Sequence, residues 1–337
     1  KPLAGIKVEM AALGHGHTLL IEKDTHLLYA FGDDRRGQVS GRELTKSTDG
    51  GNAANDDYVF EATSPPALSH LRFSHVAAGL FHSAAITEEG ELVTFGEQKY
   101  GQCLMGDDDD DDDVDDDATS GINLRWRPKD GSRLVKVSCG RRHTIVLDEH
   151  GRVWSMGRDN KYGQLGRKDD DAMMDDKGKK EQGLLRPMLV DGALGQKGSG
   201  CVNIDCGWSH NIAMVQTDDK AQNNGITVYG WGRNDKAQLG AIVDGKAIVD
   251  VPQLLHTLIG GKAIHDACCG GESIMGLNKD GYIYGCGWNE HGNLSIGNAD
   301  DIQEFTEIEG AHRICTPPPH DDKSTEKNII MAAGGAH

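Results

Sequence analysis

Short apolar runs alternate along the chain with polar stretches punctuated by glycine. Thr144-Ile145-Val146-Leu147 shows the plan: it runs into Asp148-Glu149-His150-Gly151 and then Arg152-Val153-Trp154-Ser155-Met156. That pattern predicts strand, turn and strand, with Gly151 supplying the left-handed turn position. Ser83 to Phe95 repeats the plan around Glu88-Glu89-Gly90, and Ile274 to Tyr284 does so around Asn278-Lys279-Asp280-Gly281. In another copy the turn is stretched through Thr217 to Gly225, a polar insertion that a surface hairpin tolerates at low entropic cost. No helical period of 3.6 competes with these hairpins. A lone hairpin cannot bury its apolar face, so the units must pack on one another.

Two landmarks hold these hairpins in register. Small residues lead into Gly-x-x-His at Gly14 to His17, Gly79 to His82, Gly140 to His143 and Gly207 to His210. A degenerate copy runs from Gly270 to Ser273 and a last one from Gly334 to His337, so the leading glycines lie 65, 61, 67, 63 and 64 residues apart. The second landmark is an apolar group and a glycine, followed by Gly-Gln or a relative. It reads Phe31-Gly32 with Gly37-Gln38, Phe95-Gly96 with Gly101-Gln102 and Met156-Gly157 with Gly163-Gln164. The last two copies are Trp231-Gly232 with Ala237-Gln238 and Cys286-Gly287 with Gly292-Asn293. A fixed period of this length in strand-rich sequence predicts an all-β β-propeller, in which radial stacking buries each sheet and leaves only short edges. The expected organisation is one propeller domain over residues 1–337, with units at about 6–70, 71–133, 134–200, 201–263 and 264–327 and a partial unit at 328–337. It therefore reads as five full blades plus part of a sixth, a fragment of a larger ring with one strand edge exposed.

Charge narrows the partners. The 337 residues carry a net charge of −18, which argues against direct nucleic-acid binding and against docking on an anionic membrane. Asp107 to Asp117 holds ten aspartates interrupted only by Val114, and without it the balance is −8. Such density predicts a solvated, disordered acidic loop, with a tether for a basic partner as the alternative. No glycine-turned calcium loop accompanies it. The eight cysteines include no C-x-x-C pair, so zinc is not expected. They read as buried free thiols of a reducing compartment, cytoplasmic or nuclear. No run approaches 18 consecutive apolar residues.

The chain resembles the regulator of chromosome condensation family in its small-Gly-x-x-His element, its hairpin, and Gly157-Arg158-Asp159-Asn160-Lys161-Tyr162-Gly163-Gln164-Leu165-Gly166. Gly285 to Gly292 is most similar to the secretion-regulating guanine-nucleotide-exchange-factor-like branch. The resemblance implies a propeller, usually of seven blades in the parent, and a structural role for Gly14, His17, Gly79, His82, Gly140, His143, Gly207, His210, Gly270, Gly334 and His337. It also implies an interaction module without catalytic residues or cofactor, whose partner is a protein; a small GTPase, with exchange activity, is the alternative. The plant ultraviolet-B receptor branch carries several Gly-Trp-Arg-His-Thr copies, whereas Gly207-Trp208-Ser209-His210 occurs once here, against photoreception. Leu-Gly is replaced at Val39-Ser40, Cys103-Leu104 and Leu294-Ser295.

An enzyme is the competing class, yet the sequence has no Walker loop, no His-Glu-x-x-His and no Gly-x-Ser-x-Gly. A binding surface is therefore sought in the turns of the second landmark, which a propeller gathers on one face. Candidate partner contacts there are Arg35, Arg36, Tyr100, Arg158, Asp159, Tyr162, Arg233, Asp235, Trp288, Glu290 and His291, because Arg, Tyr and Trp dominate interface energetics.

Overall fold

The computed structural model describes residues 5–41, 57–104, 122, 124–168, 186–216, 226–240, 246–255, 258–259, 262–278 and 280–308. The run at 107–117, Cys315 and the copy from Gly334 to His337 lie outside them, as does the stretched turn at 217–225.

Among the described residues, twenty strands form five antiparallel sheets. The first takes β1 (Val8–Leu13), β2 (His17–Glu22), β3 (Leu28–Asp33) and β4 (Tyr58–Thr63). The second takes β5 (Phe73–Ala78), β6 (His82–Thr87) and β7 (Leu92–Gly96). The third has β8 (Leu134–Cys139), β9 (Thr144–Asp148), β10 (Val153–Met156) and β11 (Met188–Leu189). The fourth has β12 (Cys201–Cys206), β13 (His210–Gln216), β14 (Ile226–Arg233) and β15 (Ile248–Leu254). In the fifth, β16 (Leu258–Ile259) precedes β17 (Lys262–Cys269), β18 (Ser273–Asn278), β19 (Ile283–Gly287) and β20 (Ile302–Glu307).

Two blades depart from four strands. In the second, the fourth position is a single bridge between Leu92 and Trp126. In the fifth, β16 adds a short fifth strand.

The second strand of each blade is buried on both sides; every residue of β6 and β9 is buried. The strands β6, β9 and β13 have a blade packed on each side, which is why they read as nearly unbroken apolar runs. The small-residue strands β1, β5, β8, β12 and β17 are innermost: their ends line one central cavity of about 400 Å³. The histidine therefore opens the second strand of a blade and not the inner one, and the Gly-x-x between them is a turn. Each innermost strand shifts register once, between Val8 and Met10, Phe73 and His75, Leu134 and Lys136, Cys201 and Asn203, and Ile264 and Asp266. A bulge at that point raises the local twist a propeller blade needs. Among the described residues no helix is long and apolar enough to cross a membrane.

Candidate interaction face

The two landmarks meet at one end of every blade, because β1–β2-type turns and the exits of third strands share that end of an antiparallel meander. Backbone bonds tie them together. Asp33 N–H donates to Gly16 O at 2.7 Å, Glu97 N–H to Phe81 O at 2.8 Å, Arg233 N–H to Ser209 O at 2.8 Å and Trp288 N–H to Glu272 O at 2.9 Å. In the third blade Arg158 N–H instead crosses to Tyr100 O of the second, at 2.6 Å. One face thus carries two loops from each blade.

Each turn is braced from within. The Gln38, Gln102, Gln164 and Gln238 side chains accept from the backbone of Arg36, Tyr100, Tyr162 and Lys236 at 2.8–3.0 Å. A buried Asp34, Asn234 or Asn289, or the half-buried Asn160, accepts from the backbone of Val39, Leu239, Leu294 or Leu165 respectively. These residues are spent on shape. Their neighbours face outward.

Beneath the face, the histidines join blade to blade. His17 Nε2 lies 2.9 Å from Ser83 Oγ, and that hydroxyl donates to Gln38 O at 2.6 Å. His82 Nε2 lies 3.1 Å from Thr144 Oγ1, which donates to Gln102 O at 2.9 Å. Since each hydroxyl proton is committed to a carbonyl, the imidazole must be the donor, with the proton on Nε2. His143 donates to Asn211 Oδ1 at 2.6 Å while Asn211 Nδ2 donates to Gln164 O. His210 reaches the Ser273 carbonyl at 3.3 Å, because Ile274 offers no side-chain acceptor. In the first three blades both landmarks therefore converge on one polar group of the next. Burial pulls all four histidines well down, His17, His143 and His210 to about 4 and His82 to about 3, so they are neutral near pH 7.

On the outer surface the candidate residues fall into pairs. Arg35 binds Asp33 at 2.6 Å, and although burial works to raise that carboxyl, its bonds from Arg35 hold it low. Arg36 approaches Glu97 at 3.8 Å. Arg142 stacks over the Tyr100 ring at 3.8 Å, and Arg233 over Tyr162 at 5.2 Å. Arg233 also bonds Asp235 at 2.7 Å and Glu272, whose carboxyl burial raises. Trp288 donates to Glu290 at 3.2 Å and packs edge-on to His291 at 4.9 Å. Asp159 accepts from the Lys161 backbone at 3.1 Å, and Arg158 is exposed.

Phe81, Arg141, Arg142, Trp208 and Glu272 share this face and were not among the sequence candidates. They occupy the two variable positions of Gly-x-x-His, and the signal for them was their place at the apex of a turn between strands. Arg141 lies over the Trp208 ring at 5.6 Å. Among the described residues no His, Cys, Asp and Glu group could hold a metal, and seven cysteines are free. Burial pushes the Cys139, Cys206, Cys269 and Cys286 thiols far up.

The family model for the RCC1-like domain matches residues 1–337. The chain belongs to the RCC1-like domain family. It is similar to the human E3 ubiquitin-protein ligase HERC2, 30% identical over 72% of the chain but only 4% of that protein. It is 26% identical to the human RCC1-like G exchanging factor-like protein, over 84% of the chain and 55% of the relative. The chain thus spans about half, or far less, of the relatives it matches. Among solved structures it superposes on Prp20p from Saccharomyces cerevisiae with a TM-score of 0.61 at 20% identity, covering 92% of this chain and 67% of that one. That likeness shows the fold: a β-propeller of RCC1 type.

Proposed function

We propose that this RCC1-like propeller is a non-enzymatic binding module that takes a protein partner on the face built by its Gly-x-x-His loops and Gly-to-Gly turns. The observation that carries this reading is the gathering of arginine–aromatic stacks there: Arg142 on Tyr100, Arg233 on Tyr162 and Arg141 by Trp208. Such residues, held by a rigid scaffold on loops it does not need for its core, are those that supply binding energy. The histidines, in this reading, hold the blades and touch no partner.

A second reading, regulation of a small GTPase by nucleotide exchange, draws on two relatives. One is named an RCC1-like G exchanging factor-like protein, and the propeller of Prp20p is described with its binding to Gsp1p and histones. Purified chain added to small GTPases loaded with fluorescent nucleotide separates the two readings. An exchange factor speeds nucleotide release, and Trp288→Ala combined with Arg158→Ala abolishes the effect. A scaffold binds without changing release.

A further inference from the structure

Most cations on this face are neutralised by the protein itself. Arg35 has Asp33, Arg36 has Glu97, Arg233 has Asp235 and Glu272, and Lys236 has Asp301. Arg141, Arg142 and Arg158 differ. Among the described residues none of the three makes an ion pair or a side-chain hydrogen bond, yet they sit together. Arg142 lies on Tyr100, Arg158 N–H donates to the carbonyl of the same Tyr100, and Arg141 extends the group to Trp208 through its ring and through Arg141 N–H to Trp208 O at 2.9 Å. Two donors within the group, Arg142 Nε and Trp208 Nε1, are buried without a partner.

Arg141 and Arg142 are consecutive and Arg158 meets Arg142 at Tyr100, so three cationic side chains leave the backbone close together. Among the described residues only Glu272 acts on Arg141, and like charges at short range favour an anion beside the three guanidinium groups. Their fork of N–H donors suits carboxylate bidentately, and the rings beneath fix their orientation. Resting on the face reading above, we infer that the wedge spanning the second to fourth blades receives an acidic segment of a protein partner, with at least two carboxylates engaging Arg141, Arg142 and Arg158. A nucleic acid carries the same kind of charge, but its phosphates extend beyond a three-arginine patch. On a chain of net charge −18 the excess would meet negative surface. A short acidic peptide has no such overhang, and a basic island on an acidic protein steers it to one place.

The test uses the full chain and a fluorescent peptide of about 16 residues alternating glutamate and glycine, read by anisotropy at about 50 and about 150 mM salt. The expected result is binding that weakens with salt. It should fall about tenfold or more in Arg141→Ala/Arg142→Ala/Arg158→Ala, while the ion-paired Lys236→Ala stays within about twofold and both variants melt like wild type. Absence of peptide binding, or equal binding by the triple variant, overturns the inference. So does an oligothymidylate of equal charge that binds more tightly through the same arginines. If a partner still requires Trp288, in the fifth blade, but ignores these arginines, the face reading stands and only the acidic assignment falls.

Discussion

The glycine of Gly-x-x-His is a packing requirement before it is anything else. The histidine ring lies against the α-carbon of its own repeat's glycine, so a methyl group built on Gly14, Gly79, Gly140 or Gly207 would overlap that imidazole. Gly140→Ala should therefore push His143 off Asn211 and cost about 2–4 kcal/mol, combining overpacking with a stranded buried acceptor. Urea denaturation measures this, and an unchanged midpoint would show that the ring has room. Ser295 shows the opposite case. It stands where Gly166 and Gly240 occupy the equivalent turns, and it adopts the same left-handed backbone, φ 55°. A non-glycine residue is strained there, so Ser295→Gly should stabilise the protein by about 0.5–1 kcal/mol, seen as a small rise in Tm.

At the scale of the element, the unit of construction is the blade-to-blade joint of histidine, polar acceptor and Gly-Gln carbonyl. Its protonation has a definite sign. Near pH 7 these imidazoles are neutral in both folded and unfolded chains. Below about 6.5 the unfolded chain takes up protons that the folded one refuses until about 4. Stability should therefore fall with acid, by about 1.4 kcal/mol per histidine at pH 5.5 relative to neutral pH. His75, held to about 3 by burial and Lys136, adds a fifth such group. Exposed His26 opposes them: its bond to Glu88 raises it, a contribution present at low pH and lost as pH rises through the raised value. Urea midpoints at pH 7 and 5.5 should differ clearly, and His143→Gln should shrink the difference by one proton's worth. A midpoint flat across that range would mean these rings are hydrated.

The glycines and histidines of this joint were legible in the sequence because four of the five blades repeat the same ring-on-backbone contact. Its acceptors were not, since Ser83, Thr144, Asn211 and the Ser273 carbonyl share no residue type. Nor did the sequence show that, among the described residues, the fourth position of the second blade is one bridge from Leu92 to Trp126.

Across the whole molecule, repetition turns single turns into a surface. Turn residues could be placed on one face from the sequence because an antiparallel meander brings the third strand of every blade out at the same end. Which of them carry free charge could not be read, because pairing is settled between blades: Arg36 with Glu97, Arg233 with Glu272. The division of labour that follows, with histidines below holding shape and arginines and aromatics above meeting a partner, is the core of the account. Its most direct test compares Trp288→Ala/Arg158→Ala with His143→Ala, measuring partner affinity by calorimetry and corrected for the folded fraction. The face variant should bind about 1–3 kcal/mol more weakly at unchanged Tm, and His143→Ala should lose about 1–3 kcal/mol of stability yet bind like wild type once folded. A face variant that binds normally, or a histidine variant that keeps its Tm while losing the partner, would contradict the account.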